Sequence, residues 1–258
     1  MTKKRFEGRI AVVTGGGSGI GAAVARRLAG EGCEKVFILG RSPGKLEAVA
    51  ASIGNGCCVP MEVDVSDELQ VEKAVGRIGE YCGRIDLLAN IAGIPGPSAR
   101  VEDYSFTVFR KVYEINVFGT FLMMKYCLPY MQRQGNGAIV NTCSCSGMRG
   151  YQMEIGYGSS KFAVLGMTMN AANENGRNGV RVNCFSPGWV DTGMLDSILA
   201  QYAQETGRKT EKNELRNGTM DRPGTAEEMA EVACFLLSDA ARYVNGANFV
   251  CDGGKTLG

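Results

Sequence analysis

Ile10-Ala11-Val12-Val13-Thr14-Gly15-Gly16-Gly17-Ser18-Gly19-Ile20-Gly21 is the stretch that decides the fold. Its apolar run reads as a strand covered on both faces. The glycine turn behind it opens an amphipathic helix. Glycines there let backbone N–H groups approach a pyrophosphate, and the helix N-terminus adds favourable partial charge. A tight turn without a ligand would use the same residues. Set between a buried strand and a helix, the turn points to a dinucleotide.

Outward from this unit, short apolar runs alternate with helical stretches along the chain. The expected strands are Ile10–Thr14, Val36–Leu39, Cys58–Val63, Leu87–Ala92, Ala138–Cys143, Arg181–Ser186 and Asn248–Cys251. Ser42 and Pro43 supply an N-cap and a first-turn proline for the second helix. Ser66 is the expected cap of the third helix and Gly83 its stop. This alternation means an α/β fold with a seven-stranded parallel sheet flanked by helices. One doubly wound Rossmann-type domain over 1–258 accounts for the whole length. The rhythm breaks between Thr192 and about Met220, after the sixth strand, where a segment of this length is expected to be a substrate lid.

At 258 residues the chain can bury a substantial core, and 45% hydrophobic with 21% charged residues is ordinary for a globular protein. A net charge of +1 gives no field favouring nucleic acid or an anionic membrane. No apolar stretch reaches the roughly 20 residues that span a bilayer. No signal-peptide core follows Lys3-Lys4-Arg5, so a cytoplasmic location is expected, with the ten cysteines as thiols. Histidine is absent, which removes Ser-His-Asp and Cys-His triads and most zinc sites. No metal is expected.

The chemistry concentrates in Tyr157-Gly158-Ser159-Ser160-Lys161, with Ser144 upstream. Residues four apart share one helix face. A phenol titrates near ~10, and a fixed ammonium beside it is expected to lower that value towards neutrality. Taken alone, Ser144 would equally serve as a strand-end hydroxyl capping its own backbone. The end of the second strand, Gly40-Arg41-Ser42, bears on the type of dinucleotide. An acid there would hold a ribose 2′-hydroxyl, whereas an arginine accommodates a 2′-phosphate. Arg41 therefore favours NADP(H) over NAD(H), unless it faces solvent, and Ser18 adds no second basic residue.

Taken together, these segments resemble the short-chain dehydrogenase/reductase family, and the resemblance spans nearly the whole chain. Gly15, Gly17, Ser18, Gly19, Ile20 and Gly21 lie in a Thr-Gly-x-x-x-Gly-x-Gly turn like that family's cofactor signature. The resemblance implies an adenine contact at Asp64, beside Val65. Asn90-Ile91-Ala92-Gly93 looks like the family's Asn-Asn-Ala-Gly segment, with Ile91, expected on a buried strand, as the departure. It implies further that Pro187, Gly188, Val190 and Thr192 meet the nicotinamide carboxamide, with Arg41, set to take a 2′-phosphate, and Ser42 beside it also among the cofactor contacts. Ser144, Tyr157 and Lys161 match the catalytic serine, tyrosine and lysine, and Asn116 the asparagine that holds a relay water. The implied reaction is hydride transfer between NADP(H) and a ketone or secondary alcohol. Tyr157 would be the proton donor, Ser144 the oxyanion partner and Lys161 a ribose ligand.

By the same analogy the pocket is lined by Ile94 to Ser98, Cys145, Met148, Tyr151, Met153, Trp189 and the segment from Met194. Met194, Leu195, Ile198, Leu199 and Tyr202 recur at helical spacing. That stripe is either a helix packed on its own domain or the wall for a bulky hydrophobic ketone such as a hydroxysteroid or bile acid. A 3-oxoacyl thioester reductase of fatty-acid synthesis is the nearest rival, against which Asn173-Glu174 lacks the basic residue that would meet an acidic carrier. A sugar or polyol oxidoreductase comes third, and a non-catalytic NADP-binding sensor or scaffold is the reading of a different class. Family analogy also implies a homo-oligomer, a homotetramer, using the helix around Arg110–Met131 and the helix of Tyr157, on which Phe121 and Met167 could equally be core, with the C-terminal tail, Asn248 to Gly258, often joining that interface.

Overall fold

Strands with no polar side must be covered twice, and two helical layers do so here. The computed structural model describes residues 4–54, 56–215 and 218–257. Its strands are β1 (Ile10–Thr14), β2 (Lys35–Gly40), β3 (Cys58–Glu62), β4 (Leu87–Asn90), β5 (Gly137–Thr142), β6 (Val180–Pro187) and β7 (Asn248–Cys251). They form one sheet in the order β3-β2-β1-β4-β5-β6-β7, with every pairing parallel. Side chains alternate across it. Ala11 and Val13 pack under α1 (Gly19–Gly30), α2 (Pro43–Ile53) and α8 (Ala226–Leu237). Ile10 and Val12 pack under α3 (Glu68–Cys82), α5 (Gly119–Gln134) and α6 (Ile155–Asn175). The strand order reverses between β1 and β4, and the crevice beyond the carboxyl ends of those strands is where such sheets bind ligands.

Several local expectations change. β4 stops at Asn90, so Ile91 lies half-buried in a loop rather than on a buried strand. Thr14 Oγ1 takes over there from the strand ladder, accepting from Ile91 N at 3.0 Å and Ala92 N at 3.1 Å. Asp67, rather than Ser66, caps α3, its Oδ1 accepting from Gln70 N at 3.1 Å. A carboxylate suits the positive end of a helix better than a hydroxyl does. Ser66 instead donates to Asp64 Oδ1 from N (3.0 Å) and Oγ (2.7 Å). Gly83 ends α3 as expected, in the left-handed conformation. The helix expected around Arg110–Met131 is interrupted: a π turn, Glu114–Phe118, separates α4 (Phe106–Tyr113) from α5. Such turns cluster at functional sites, and this one carries Asn116. After Thr192 the chain forms α7 (Gly193–Thr206) and a short 3-10 turn, Lys212–Glu214.

Candidate active site

Tyr157 and Lys161 lie one turn apart on α6, and the side chains meet ring to ammonium. Lys161 Nζ is 5.5 Å from the centroid of the Tyr157 ring and donates to Thr142 O at 2.8 Å. The lysine is 3% exposed, and burial pulls its ammonium down to about 8. Ser144 follows β5. Its Oγ accepts from Ser146 N at 3.2 Å, capping the turn Cys145–Gly147, donates to Cys145 Sγ at 3.9 Å, and the side chain approaches Tyr157. The capping role and the approach to the tyrosine thus coexist.

The expected lowering of the phenol is overturned. Burial pushes Tyr157 above its ordinary range, the Ser144 hydrogen bond offsets only part of this, and Cys145 and Glu154 push the same way as burial. Spacing alone could not reveal this, because the desolvation comes from what covers the helix.

Asn116 is fully buried inside the π turn. Its Oδ1 accepts from Ile94 N at 2.8 Å, and Nδ2 donates to Ile94 O and Ser160 Oγ, each at 3.0 Å. Ser160 Oγ in turn donates to Tyr157 O at 2.7 Å. The asparagine therefore ties the loop after β4 to the helix of Tyr157, with both amide donors spent on protein groups.

The nucleotide end is built from backbone. Ser18 stands at the N-cap of α1 with no side-chain cap bond, and no acidic residue occupies the first turn, so the positive end of the helix is open to an anion. At Gly21 a Cβ would collide with the carbonyl of Gly15, so only glycine lets α1 seat on the turn. Gly19 faces Thr192, where a Cβ would come to 3.2 Å from Cγ2. Asn90 Nδ2 donates to Asn141 Oδ1 at 2.9 Å, while Asn90 Oδ1 is buried without a partner among the described residues. An open helix end, close glycine walls and an orphaned acceptor fit an anionic ligand rich in hydroxyls, as a dinucleotide is.

Arg41 and Ser42 are exposed after β2, and Arg41 enters no ion pair among the described residues. Lys45, on α2, passes beside Gly17, its Cβ 3.3 Å from where a glycine Cβ would stand. Glu62 is in register opposite Gly40. Asp64 and Val65 follow β3, with one oxygen of Asp64 already taken by Ser66.

One cleft gathers Ser144, Tyr157 and Lys161 with Ile20, Gly93 and Thr192, and Pro187, Gly188 and Val190 line it too. From the residues expected around the substrate it includes Pro95 to Ser98, Cys145, Met153 and Trp189. The helix after Thr192, α7, contributes Met194, Leu195 and Ile198. Ile94, Met148, Tyr151, Leu199 and Tyr202 stand off the wall. Glu154 and Lys255 line the cleft and escaped the sequence reading, while Gln201 lines it from within the segment expected there. Glu154 was legible as a neighbour of Tyr157 on the same helix end. Nothing in sequence spacing signals that Lys255, near the C-terminus, returns to this place.

A polar trio at the mouth of a Rossmann crevice, beside a glycine-walled anion site, defines a nucleotide-dependent oxidoreductase. Comparison with known proteins agrees. A family model described as enoyl-(acyl carrier protein) reductase matches residues 15–256. Levodione reductase of Leifsonia aquatica is 40% identical over 256 residues, covering 98% of this chain and 96% of that protein. Its crystal structure superposes with a TM-score of 0.93, covering 98% of this chain and 99% of the other. Meso-2,3-butanediol dehydrogenase of Serratia marcescens is 35% identical, covering 98% of this chain and 96% of the relative. A solved short chain dehydrogenase/reductase family protein is 32% identical with a TM-score of 0.84, covering 98% of this chain and all of that one. The chain belongs to the short-chain dehydrogenase/reductase family. It is an NAD(P)-dependent alcohol dehydrogenase or ketoreductase. Among the described residues no helix is long and apolar enough to cross a membrane.

Proposed function

We propose that the protein interconverts hydrophobic ring ketones and their secondary alcohols with NADP(H), a class that includes keto-steroids and keto-bile acids. The observation that carries this reading is the gathering of Ser144, Tyr157 and Lys161, with the Lys161 ammonium 5.5 Å from the Tyr157 ring centroid, in a cleft walled by Met194, Leu195, Ile198 and Trp189. In the reducing direction Tyr157 Oη gives its proton to the carbonyl oxygen. Ser144 Oγ donates a hydrogen bond to that oxygen as negative charge develops. Lys161 stabilises the phenolate left behind and binds the nicotinamide ribose. Asn116 fixes the loop and helix between which solvent returns the proton. The dinucleotide, when bound, supplies the hydride. The turn from Gly15 to Gly21 would hold its pyrophosphate, Asp64 and Val65 its adenine, and Arg41 with Ser42 its 2′-phosphate. Asn90, Ala92 and Gly93 would flank its ribose, and Pro187, Gly188, Val190 and Thr192 its carboxamide.

A reductase and a diol dehydrogenase among the relatives support both directions of one reaction. The segment from Thr192 to about Met220, of which residues 216 and 217 lie outside the described residues, acts as the lid of this single domain. Phe118, Phe121, Phe162 and Met169 are exposed around α5 and α6 and suit burial in a homotetramer, whereas Met167 packs on the core. The setting is the cytoplasm.

Tyr157→Phe tests the mechanism. General acid–base groups contribute about 10²–10⁴-fold, so kcat/KM should fall by that factor while NADPH binding stays unchanged. Turnover that persists in the variant rejects the proton-donor role. A panel of keto-steroids, an oxoacyl thioester and keto-sugars tests the substrate: preference for the thioester moves the protein to fatty-acid synthesis. Silence of the wild type with NADPH and NADH on every ketone leaves a dinucleotide sensor.

A further inference from the structure

The substrate end of the cleft holds a cation that the proposed reaction does not use. Lys255 lines the same cleft as Ser144 and Tyr157. Its Nζ sits 4.0 Å from the centroid of the Trp189 ring and 5.2 Å from that of Tyr151. Ring faces attract an ammonium but offer its three N–H groups no oxygen. Among the described residues no carboxylate pairs with Lys255, and no oxygen accepts a hydrogen bond from Nζ.

Two clamps fix the tail that carries it. The Asp252 carboxylate accepts from Gly254 N at 2.9 Å, Thr256 N at 2.8 Å and Thr256 Oγ1 at 2.7 Å, bracketing Lys255 on both sides. Gly253 O accepts from Thr219 N at 2.9 Å and Met220 N at 3.1 Å, joining the tail to the far end of the lid segment. Gly218, at φ +62°, presses on the Gly254–Lys255 peptide so closely that any Cβ would strike its backbone. The entropy of holding a long side chain in one place is thus reduced before any ligand arrives.

We infer that Lys255 is a specificity residue, whose ammonium binds a second oxygen acceptor, a carbonyl or a carboxylate, on the ring of the ketone substrate. The inference rests on the ketone-reductase reading and adds to it the chemistry of the substrate's other end. Met194, Leu195 and Ile198 cover the apolar body of the ring, Ser144 and Tyr157 take the reacting carbonyl, and Lys255 takes the other acceptor. A ring lacking that acceptor would seal Nζ from water with nothing in return, and sites built to bond a polar group reject analogues without it.

Trp189 is the sole tryptophan of the chain, so its emission reports on the ammonium above it. Wild type and Lys255→Met are titrated with cyclohexanone, cyclohexane-1,4-dione and 4-oxocyclohexanecarboxylate, following this emission and, with NADPH and NADH, turnover. Methionine keeps an apolar stem on the tryptophan and removes the charge. The wild type should bind the dione and the oxo acid at least about tenfold more tightly than cyclohexanone. In the variant all three should fall within about twofold of one another, with NADPH affinity unchanged. Added salt should weaken the oxo acid and spare the dione, which separates the two acceptors. Equal affinities in the wild type, an equal loss for all three in the variant, or no emission change with any ring overturns the inference. The expected binding pattern without turnover rejects the reductase reading and leaves the site standing; turnover without discrimination rejects the site alone.

Discussion

The nucleotide half of the cleft and the substrate half are built from different materials. At the nucleotide end the walls are main chain: the turn from Gly15 to Gly21, the amides of Ile91 and Ala92 on Thr14, and the loop at Ile94 held by Asn116. At the substrate end the walls are side chains, Trp189, Met194, Ile198 and Lys255, brought together by α7, the turn before it and a tail distant in sequence. A main-chain wall is specified by residues adjacent in the chain and tolerates no added atom. A side-chain wall is specified by tertiary folding and can be exchanged one residue at a time. The first half should therefore fail as a unit under substitution, and the second should change what it selects.

The harshest test of that contrast is Gly21→Ala, which adds one methyl where the Gly15 carbonyl already touches. Overpacking of this kind costs about 1–3 kcal/mol, readable in urea unfolding. Because α1 must lift off the turn, NADPH affinity should drop at least about a hundredfold, the loss of several charge-assisted hydrogen bonds. An alanine variant with wild-type affinity would mean that the turn does not set the helix, and the contrast would collapse.

Lys161 sits at the seam, and there the side-chain environment governs a titration. Its ammonium is pulled to about 8 from the ordinary 10.5 by burial, so the unfolded chain binds the extra proton between those values. Below pH 8 both states are charged and the native state bears the whole cost of burying the charge. As pH rises from 8 to 10.5 the cost disappears, and stability from this group rises. Relative to Lys161→Met, wild type should gain about 3 kcal/mol across that window, measured as the difference between the two proteins' urea midpoints at each pH. A flat difference would mean that Lys161 keeps its ordinary value and is solvated through the cleft. The variant should also be without turnover.

The same division explains what was legible in the sequence. Strand cores, glycine turn and helix order follow from period and local chemistry, and the structure departs from them at element ends, such as Ile91 and the Asp67 cap, and at the π turn between α4 and α5. That Ser144, Tyr157 and Lys161 share one cleft was readable because helix geometry and motif order are local properties. The direction of the Tyr157 shift was not, since burial is decided by the segments that cover α6. The π turn at Asn116 and the arrival of Lys255 were hidden for a related reason: each depends on partners remote in the chain. Asp252 announces a turn at its own position, but only the fold reveals that the turn delivers Lys255 to Trp189.

One feature of the nucleotide half is side-chain built, and it should behave like the other half. Recognition of a 2′-phosphate would rest on Arg41, exposed and without an ion pair among the described residues. Since Arg41 forms no wall, Arg41→Ala should leave folding and NADH affinity unchanged. NADPH affinity should fall about tenfold, the scale of one charge-assisted contact partly screened by solvent, and the loss should shrink in high salt. Equilibrium titration of both dinucleotides at two ionic strengths measures this. Equal effects on NADPH and NADH would overturn the assignment and point to Glu62, in register opposite Gly40, as an acid for the ribose hydroxyl. A selective, salt-sensitive loss would mark Arg41 as a specificity element attached to a backbone cradle that holds either dinucleotide.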